Sequence, residues 1–282
     1  MSSSVIALVL AAAILHASWN AMAKSGGSPE FSIAAYQLVG TVVCAVLVWF
    51  VPFPEVTSWP FILLSVVIHN FYYLTLAKSY RHGDLSMVYP LFRGLAPVLV
   101  ALGAAGFAGE YLSSKALFGV GLVSFGLIVL ALFGSAGSRP SAAAIKWGLL
   151  TSLMIAAYTV VDGSGVRLVE NSLSYILWLF LFEAFPICIW LWFTRREAWL
   201  AYMKSRPLKI IAGGVAASTA YGLVIYAMSL GAMALVSSIR ETSVIFAAVI
   251  GSMFLKEPFG RQRIIAASFV ALGVIVIRFY AS

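Results

Sequence analysis

Long stretches without Asp, Glu, Lys or Arg constrain this chain most. They cover residues 1–23, 31–54, 56–77, 94–109, 116–138, 147–161 and 210–239 of 282. A helix rises 1.5 Å per residue, so about 20 apolar residues cross a hydrocarbon core about 30 Å thick. Inside that core each backbone N–H and C=O must be bonded within the protein, which leaves helices or closed barrels. The runs are too long and too evenly apolar for barrel strands, so the fold class is all-α and polytopic. Composition agrees: 62% of residues are apolar and 10% charged, whereas a soluble domain carries about 25% charged residues. Such a chain cannot cover a water-facing surface. A soluble enzyme, a disordered protein and a nucleic-acid-binding domain are excluded.

The window 210–239 is too long for one span, and Ser229-Leu230-Gly231 supplies a turn within it. Ten spans result, at about 5–23, 31–51, 60–79, 85–108, 115–134, 145–161, 173–194, 208–228, 233–255 and 262–280, with ends good to about 2–4 residues. The longest loops, around 134–144 and 194–208, are too short for a soluble domain. Met1-Ser2-Ser3-Ser4 lacks the basic residues of a signal peptide, so the first span is expected to be retained. Cys44 and Cys188 lie in apolar runs and read as small apolar residues, not as a disulfide or metal pair.

The spans fall into two halves. Arg93 precedes Glu110 as Arg240 precedes Glu257, at an offset of 147 in both cases, and Trp19…Ser25-Gly26 matches Tyr158…Ser164-Gly165 at an offset of 139. These matches suggest five-helix repeats at 1–137 and 138–282. Five is odd, so the second repeat must enter the membrane from the opposite side. Inverted repeats of this kind are typical of secondary transporters, with the site near the midplane. Thirteen Lys and Arg fall in alternate loops on one side, while Lys115, Arg167 and Arg278 alone fall on the other. The positive-inside rule then predicts that both termini lie outside. The net charge of +8 describes a basic face toward anionic lipid.

The first span, Leu15-His16-Ala17-Ser18-Trp19-Asn20-Ala21-Met22-Ala23-Lys24, resembles the opening of EamA-domain proteins of the drug/metabolite transporter superfamily. Gly109-Glu110 and Leu255-Lys256-Glu257-Pro258 resemble the leucine-glycine-glutamate junctions of that family. The resemblance covers the whole chain. It implies a ten-helix secondary transporter, often an exporter of amino acids or other small metabolites. It also implies cytoplasmic termini, against the loop charges, so orientation stays open. The expected location is the bacterial inner (cytoplasmic) membrane.

Ionisable groups at membrane depth cost about 2.5–3.5 kcal/mol each on insertion scales and need a reason to be there. Arg93, Arg240, Glu241 and Glu183 stand out. At 1.5 Å per residue, Arg93 and Arg240 would straddle the midplane, about 8 Å apart in depth. Each arginine either snorkels to the nearer interface or clamps an anion with its planar fork. Glu241 is adjacent to Arg240 but rotated about 100° from it on a helix, so it is expected to face another helix, toward Arg93. There it would serve as a salt bridge between halves or as a substrate contact. Glu183, three residues before Pro186, could titrate, pair with an arginine or meet backbone freed by the proline; proton coupling is assigned to Glu183 or Glu241. Pro90 and Pro97 are expected to kink the fourth span.

Further lining is expected from one face of the first span (His16, Asn20, Lys24, with Trp19 beside it), from His69, Asn70, Tyr72 and Tyr73 on the third, and from Tyr89, Tyr158, Tyr221 and Tyr226. Aromatic walls with a few convergent polar groups suit a small-molecule site. Trp49, Trp59, Tyr80, Trp147, Trp199 and Tyr280, near span ends, read as interfacial. No metal-hydrolase, Walker or Cys-x-x-Cys motif occurs, so no enzyme activity, cofactor or metal is expected. The partners expected are a small-molecule substrate and the lipid bilayer, without nucleic acid; a monomer is plausible and the oligomeric state open. A zwitterion such as an amino acid suits the Arg–Glu combination best. An organophosphate, phosphonate or other organic-anion carrier is the alternative, and a lipid-handling scramblase or enzyme a further one.

Overall fold

The structure, a computed structural model, describes residues 1–24, 28–82, 85–133, 141–247, 249 and 261–280. Every regular element among the described residues is helical. The first half contains α1 (Ser3–Lys24), α2 (Pro29–Leu47), α3 (Trp59–His82), α4 (Leu85–Ala108) and α5 (Ser114–Phe133). The second contains α6 (Ala142–Gly165), α7 (Ser172–Glu183), α8 (Phe185–Thr194), α9 (Arg196–Ser205), α10 (Pro207–Leu230), α11 (Met233–Arg240) and α12 (Arg261–Tyr280). Among the described residues, eight helical stretches are long and apolar enough to cross a membrane: α1 to α6, the joined α7–α8 and α10. The chain is an all-α polytopic membrane protein.

Local sequence sets the helix ends. Pro29 and Pro207 stand at the start of α2 and α10, where a missing N–H costs nothing. Ser141 caps α6 by accepting from the Ala144 N–H at 3.1 Å, and Asn171 caps α7 through the Leu173 N–H at 2.9 Å. After α4 the chain turns at Gly109, whose φ of +64° lies in the left-handed region open to glycine.

Three sequence expectations need correction. The seventh span is not one helix: it breaks at Ala184, just before Pro186, into α7 and α8. The ninth span ends its first helix at Arg240; residues 241–242 form a turn and 243–247 are helical again. The stretch 194–208 is not a plain loop but holds α9, which seats Trp199 against Ala34 and Leu191. Trp199 is thus buried, not an interfacial anchor. The α4 helix carries both Pro90 and Pro97 within its length. The junction at Lys256-Glu257-Pro258 lies outside the described residues, as does the side chain of Lys24.

The helix contacts follow a pattern. The most extensive are α5 with α12, α3 with α6 and α1 with α10; α2 packs on α7, and α4 on α11. The α5–α12 contact is close because it is built on glycine: a Cβ at Gly273 would stand 2.7 Å from the Gly119 carbonyl oxygen, and one at Gly126 would stand 3.0 Å from that of Ala266. Small residues let helix backbones approach in lipid, where association relies on van der Waals packing. On the outside, Trp49, Phe107 and Phe193 are 85%, 90% and 82% exposed, as lipid-facing side chains are.

At one end of the bundle the two halves are tied together. The Arg167 Nη2 donates to Glu110 Oε2 at 2.9 Å and to the Gly231 carbonyl at 2.7 Å, and its Nε to the Met228 carbonyl at 3.0 Å. Glu110 Oε1 accepts the Met233 N–H at 2.8 Å, capping α11. The largest apolar cluster fills that end, with Val5, Val9, Val120, Tyr175, Met228 and Met233 among its members. Gly273→Ala should lower stability by about 1–3 kcal/mol through overpacking, read as a lower melting temperature in detergent. Gly121→Ala, with no atom within 4 Å of its would-be Cβ, should leave it unchanged; equal effects would contradict this packing.

Candidate functional site

Three buried charges sit at the heart of the bundle. Arg93 of α4 is 2% exposed, Arg240 at the end of α11 1%, and Glu241 0%. Arg93 Nε stands 2.6 Å from Glu241 Oε2, and Arg240 Nε stands 3.6 Å from Glu241 Oε1. Adjacent residues cannot pair this way on a regular helix. The turn at 241–242 permits it: backbone bonds there tighten to i→i+3, from Glu241 N to Ser238 O and from Thr242 N to Ile239 O. Arg93 is further held by donating from Nη2 to Ser243 Oγ at 3.1 Å, and it lies over the Tyr89 ring at 5.8 Å.

Arg93 is thus engaged by Glu241, Ser243 and the Tyr89 ring, with its Nε in ion-pair contact but in no hydrogen bond. Arg240 differs. Its Nη2 has no hydrogen-bond partner among the described residues, and it lines a cavity of about 690 Å³ of empty space, counting the solvent space it opens onto. The cavity wall comes from α1, α2, α3, α6, α7, α10 and α11. Trp19 and Ile33 lie near the end of the bundle that carries the 24–28 connection, whereas Tyr158 and Arg240 lie deep, toward the end closed by Arg167 and Glu110.

Opposite Arg240 the wall carries a carboxylate. Glu183 ends α7 and is 4% exposed. Its Oε1 accepts from the Tyr73 hydroxyl at 2.6 Å and stands 3.8 Å from His69 Nε2, while Gln37 donates to that same hydroxyl. The helix break explains how Glu183 stays in place. Pro186 cannot donate to the Phe182 carbonyl, which takes the Ala184 N–H instead, and the break leaves other last-turn carbonyls in need of partners. Thr41 donates to the Phe180 carbonyl at 2.8 Å, and Asn70 to the Glu183 carbonyl at 3.3 Å. His69 Nδ1 is held by Ser65, and its ring stacks on Tyr158 with centroids 4.1 Å apart.

Of the residues singled out in the sequence, His16, Trp19, His69, Tyr72, Tyr73, Tyr158, Glu183, Tyr221 and Arg240 line this cavity. Arg93, Glu241, Asn20, Asn70 and Tyr89 do not. Asn20 and Asn70 instead bond backbone, each at 2.8 Å to the carbonyl four residues earlier, and Tyr226 is 38% exposed on the outer side of α10. Sequence reasoning missed Tyr36, Gln37 and Ser218. Each lies on a largely apolar helix, and only the packing of α2 on α10 brings them to the wall. It also missed Asp162, fully buried beside the cavity. Among the described residues, no group of three or more His, Cys, Asp or Glu is placed to hold a metal ion.

Glu241→Gln should strip the two arginines of their shared counter-charge, and breaking a buried pair costs about 3–5 kcal/mol. Arg240→Gln leaves Arg93 and Glu241 paired and should cost clearly less. Denaturation in detergent reads both; equal losses would contradict the assignment of Arg93 and Glu241 as the structural pair.

No curated protein matches this chain. Among solved structures, 27 chains match. One of them, described only as "Crystal structure of protein", superposes with a TM-score of 0.81 over 100% of this chain and 98% of its own, at 16% identity, a likeness of fold. The EamA-like transporter family pattern matches twice, over residues 3–132 and 142–279. The chain belongs to the EamA-like transporter family and is a membrane transporter.

Proposed function

We propose that the protein moves small zwitterionic metabolites, amino acids foremost, by alternating access, with Arg240 taking the anionic end and Glu183 the cationic end. The single observation that carries this reading is the guanidinium of Arg240. It is 1% exposed, faces the cavity and has an Nη2 without a hydrogen-bond partner among the described residues. A buried donor left unsatisfied costs free energy, which a carboxylate ligand would relieve. Arg93 and Glu241 hold that group in place, and two arginines against one glutamate leave excess positive charge beside the cavity. Glu183 with Tyr73, and the rings of Trp19, Tyr36, Tyr72 and Tyr158, suit an ammonium group and an organic side chain.

Ten spans in two inverted five-helix repeats, 1–137 and 138–282, complete the reading. The correspondence pairs α1 with α6, α2 with α7, α3 with α10, α4 with α11 and α5 with α12. Exchanging the halves then turns the α1–α10 contact into α6–α3 and returns α2–α7, α4–α11 and α5–α12 to themselves. A two-fold relation between repeats requires that pattern, and the double match of the family pattern supports it. If the basic loops lie in the cytoplasm of a bacterial inner membrane, the cavity faces inward, as it would for an exporter loading its cargo.

The organic-anion alternative is disfavoured by Glu183 in the wall, which a phosphate dianion would have to approach. A lipid-handling role needs polar groups facing lipid, whereas Arg93, Arg240, Glu241, Glu183 and Asp162 face the interior.

Proteoliposomes loaded with a panel of unlabelled amino acids should exchange a labelled one. Arg240→Gln should weaken apparent affinity by about 1.5–3 kcal/mol, roughly 10- to 150-fold, the value of a hydrogen bond to a charged group. Exchange of phosphorylated compounds and of no amino acid, or exchange untouched by Arg240→Gln, would overturn the reading.

A further inference from the structure

Among the described residues, Asp162 is the one carboxylate in the bundle interior that the transport reading does not use. It lies on α6 one turn beyond the cavity-lining Tyr158 and is fully buried. Its Oδ2 accepts from the Tyr221 hydroxyl at 2.5 Å and its Oδ1 from the Tyr175 hydroxyl at 3.0 Å. The cations on the elements packed around it are engaged elsewhere. Arg93 of α4 and Arg240 of α11 bear on Glu241, and Arg167, on the turn after α6, is spent on Glu110 and two carbonyls. From α3 the facing titratable groups are His69, which is within electrostatic reach of Asp162, and behind it Tyr72 and Tyr73. Tyr89 lies on α4; α7 presents Tyr175, with Glu183 across His69; α10 presents Tyr221.

A carboxylate inside a membrane protein held by neutral hydroxyls, with Ser65 of α3 beside the two phenols and no Lys or Arg, is costly when charged, and such residues mark functional sites, proton relays among them. Its surroundings also supply a route. Tyr221 lines the cavity and gives its hydroxyl to Asp162, so one phenol joins the cavity to the buried carboxylate. His69 stands between the two acids, its ring centroid 5.3 Å from that of Tyr221 and its Nε2 3.8 Å from Glu183 Oε1.

We propose that Asp162 is the proton-carrying carboxylate of the transport cycle, loaded from the cavity through the Tyr221 hydroxyl. The hydroxyl passes its proton to Asp162 and takes another from cavity water. The phenol ends as it began, and the net change is one proton moved from water to the carboxylate. Release runs the same steps backward. When Asp162 is protonated, its hydroxyl becomes a donor, one phenol must turn, and the contact between α6 and α10, which belong to different repeat-related pairs, changes with it. That links proton binding to the packing on which alternating access depends. The coupling rests on the transporter reading above; the presence of an exchangeable proton on Asp162 does not.

Infrared difference spectra of the purified protein between acidic and alkaline buffers test the proton site with no substrate present. Wild type should show a carboxylic-acid carbonyl band that is lost in Asp162→Asn and kept in Glu183→Gln. Tyr221→Phe and Asp162→Glu should keep a band at a shifted frequency, and these two variants decide the matter if Asp162→Asn does not fold. Spectra unchanged in folded Asp162→Asn, or unshifted in both other variants, would overturn the proposal. In proteoliposomes with a trapped pH dye, an amino-acid gradient should drive proton movement in wild type. In Asp162→Asn that movement should fall at least tenfold while labelled amino-acid exchange persists. Equal proton movement in both would also overturn the proposal. Absence of amino-acid exchange in wild type would instead sink the substrate reading and leave the infrared result standing.

Discussion

Charge in a low-dielectric interior must be paired within the protein, and the meeting of Arg93, Arg240 and Glu241 is where this structure meets that demand. One carboxylate faces two guanidinium groups at 2.6 Å and 3.6 Å. The geometry is impossible on an unbroken helix, so α11 stops at Arg240 and the backbone turns through Glu241 and Thr242. The turn in turn needs local partners: Ser238 and Thr242 fold their hydroxyls back on the Ala234 and Ile239 carbonyls, and Ser243 accepts from Arg93. The polar run Ser237 to Ser243 is thus the cost of breaking a helix where a charge has to be presented.

The same logic acts on the other side of the cavity. Glu183 stands at the break between α7 and α8, and Thr41 and Asn70 donate to the Phe180 and Glu183 carbonyls in the broken turn. Broken spans with charged groups at their ends are the membrane counterpart of helix-terminus ion sites. Here an arginine and a glutamate, each at the end of a half-helix, look across one aromatic-walled space. At the far end the Arg167–Glu110 ties and the large apolar cluster keep that space closed.

Much of this was legible in the sequence because lipid is an unforgiving solvent. Charge-free runs located the spans, and the scarcity of intramembrane charge drew attention to Arg93, Arg240, Glu241 and Glu183. Sequence could not tell the two arginines apart. Only tertiary packing decides that Arg93 is taken by Glu241 and Ser243 while Arg240 lines the cavity with its Nη2 unpartnered among the described residues. Helix continuity was misjudged for a related reason: α11 breaks without a proline, because the charge pairing, not the local propensity, sets the turn. Asp162 was hidden by its neighbours. Gly163 and Gly165 made it look like part of a helix end, yet those glycines serve the close approach of Met233 and Tyr175, which brings the Tyr175 hydroxyl to Asp162.

The central claim is that the free face of Arg240 is the anchor for the anionic end of a zwitterion. An experimental structure with a bound amino acid addresses it most directly. The account predicts a carboxylate within hydrogen-bond distance of Arg240 Nη2, an ammonium group directed at Glu183 and Tyr73, and Arg93 still paired with Glu241. A ligand carboxylate seated on Arg93 with Glu241 displaced, or a ligand bound away from both Arg240 and Glu183, would contradict it.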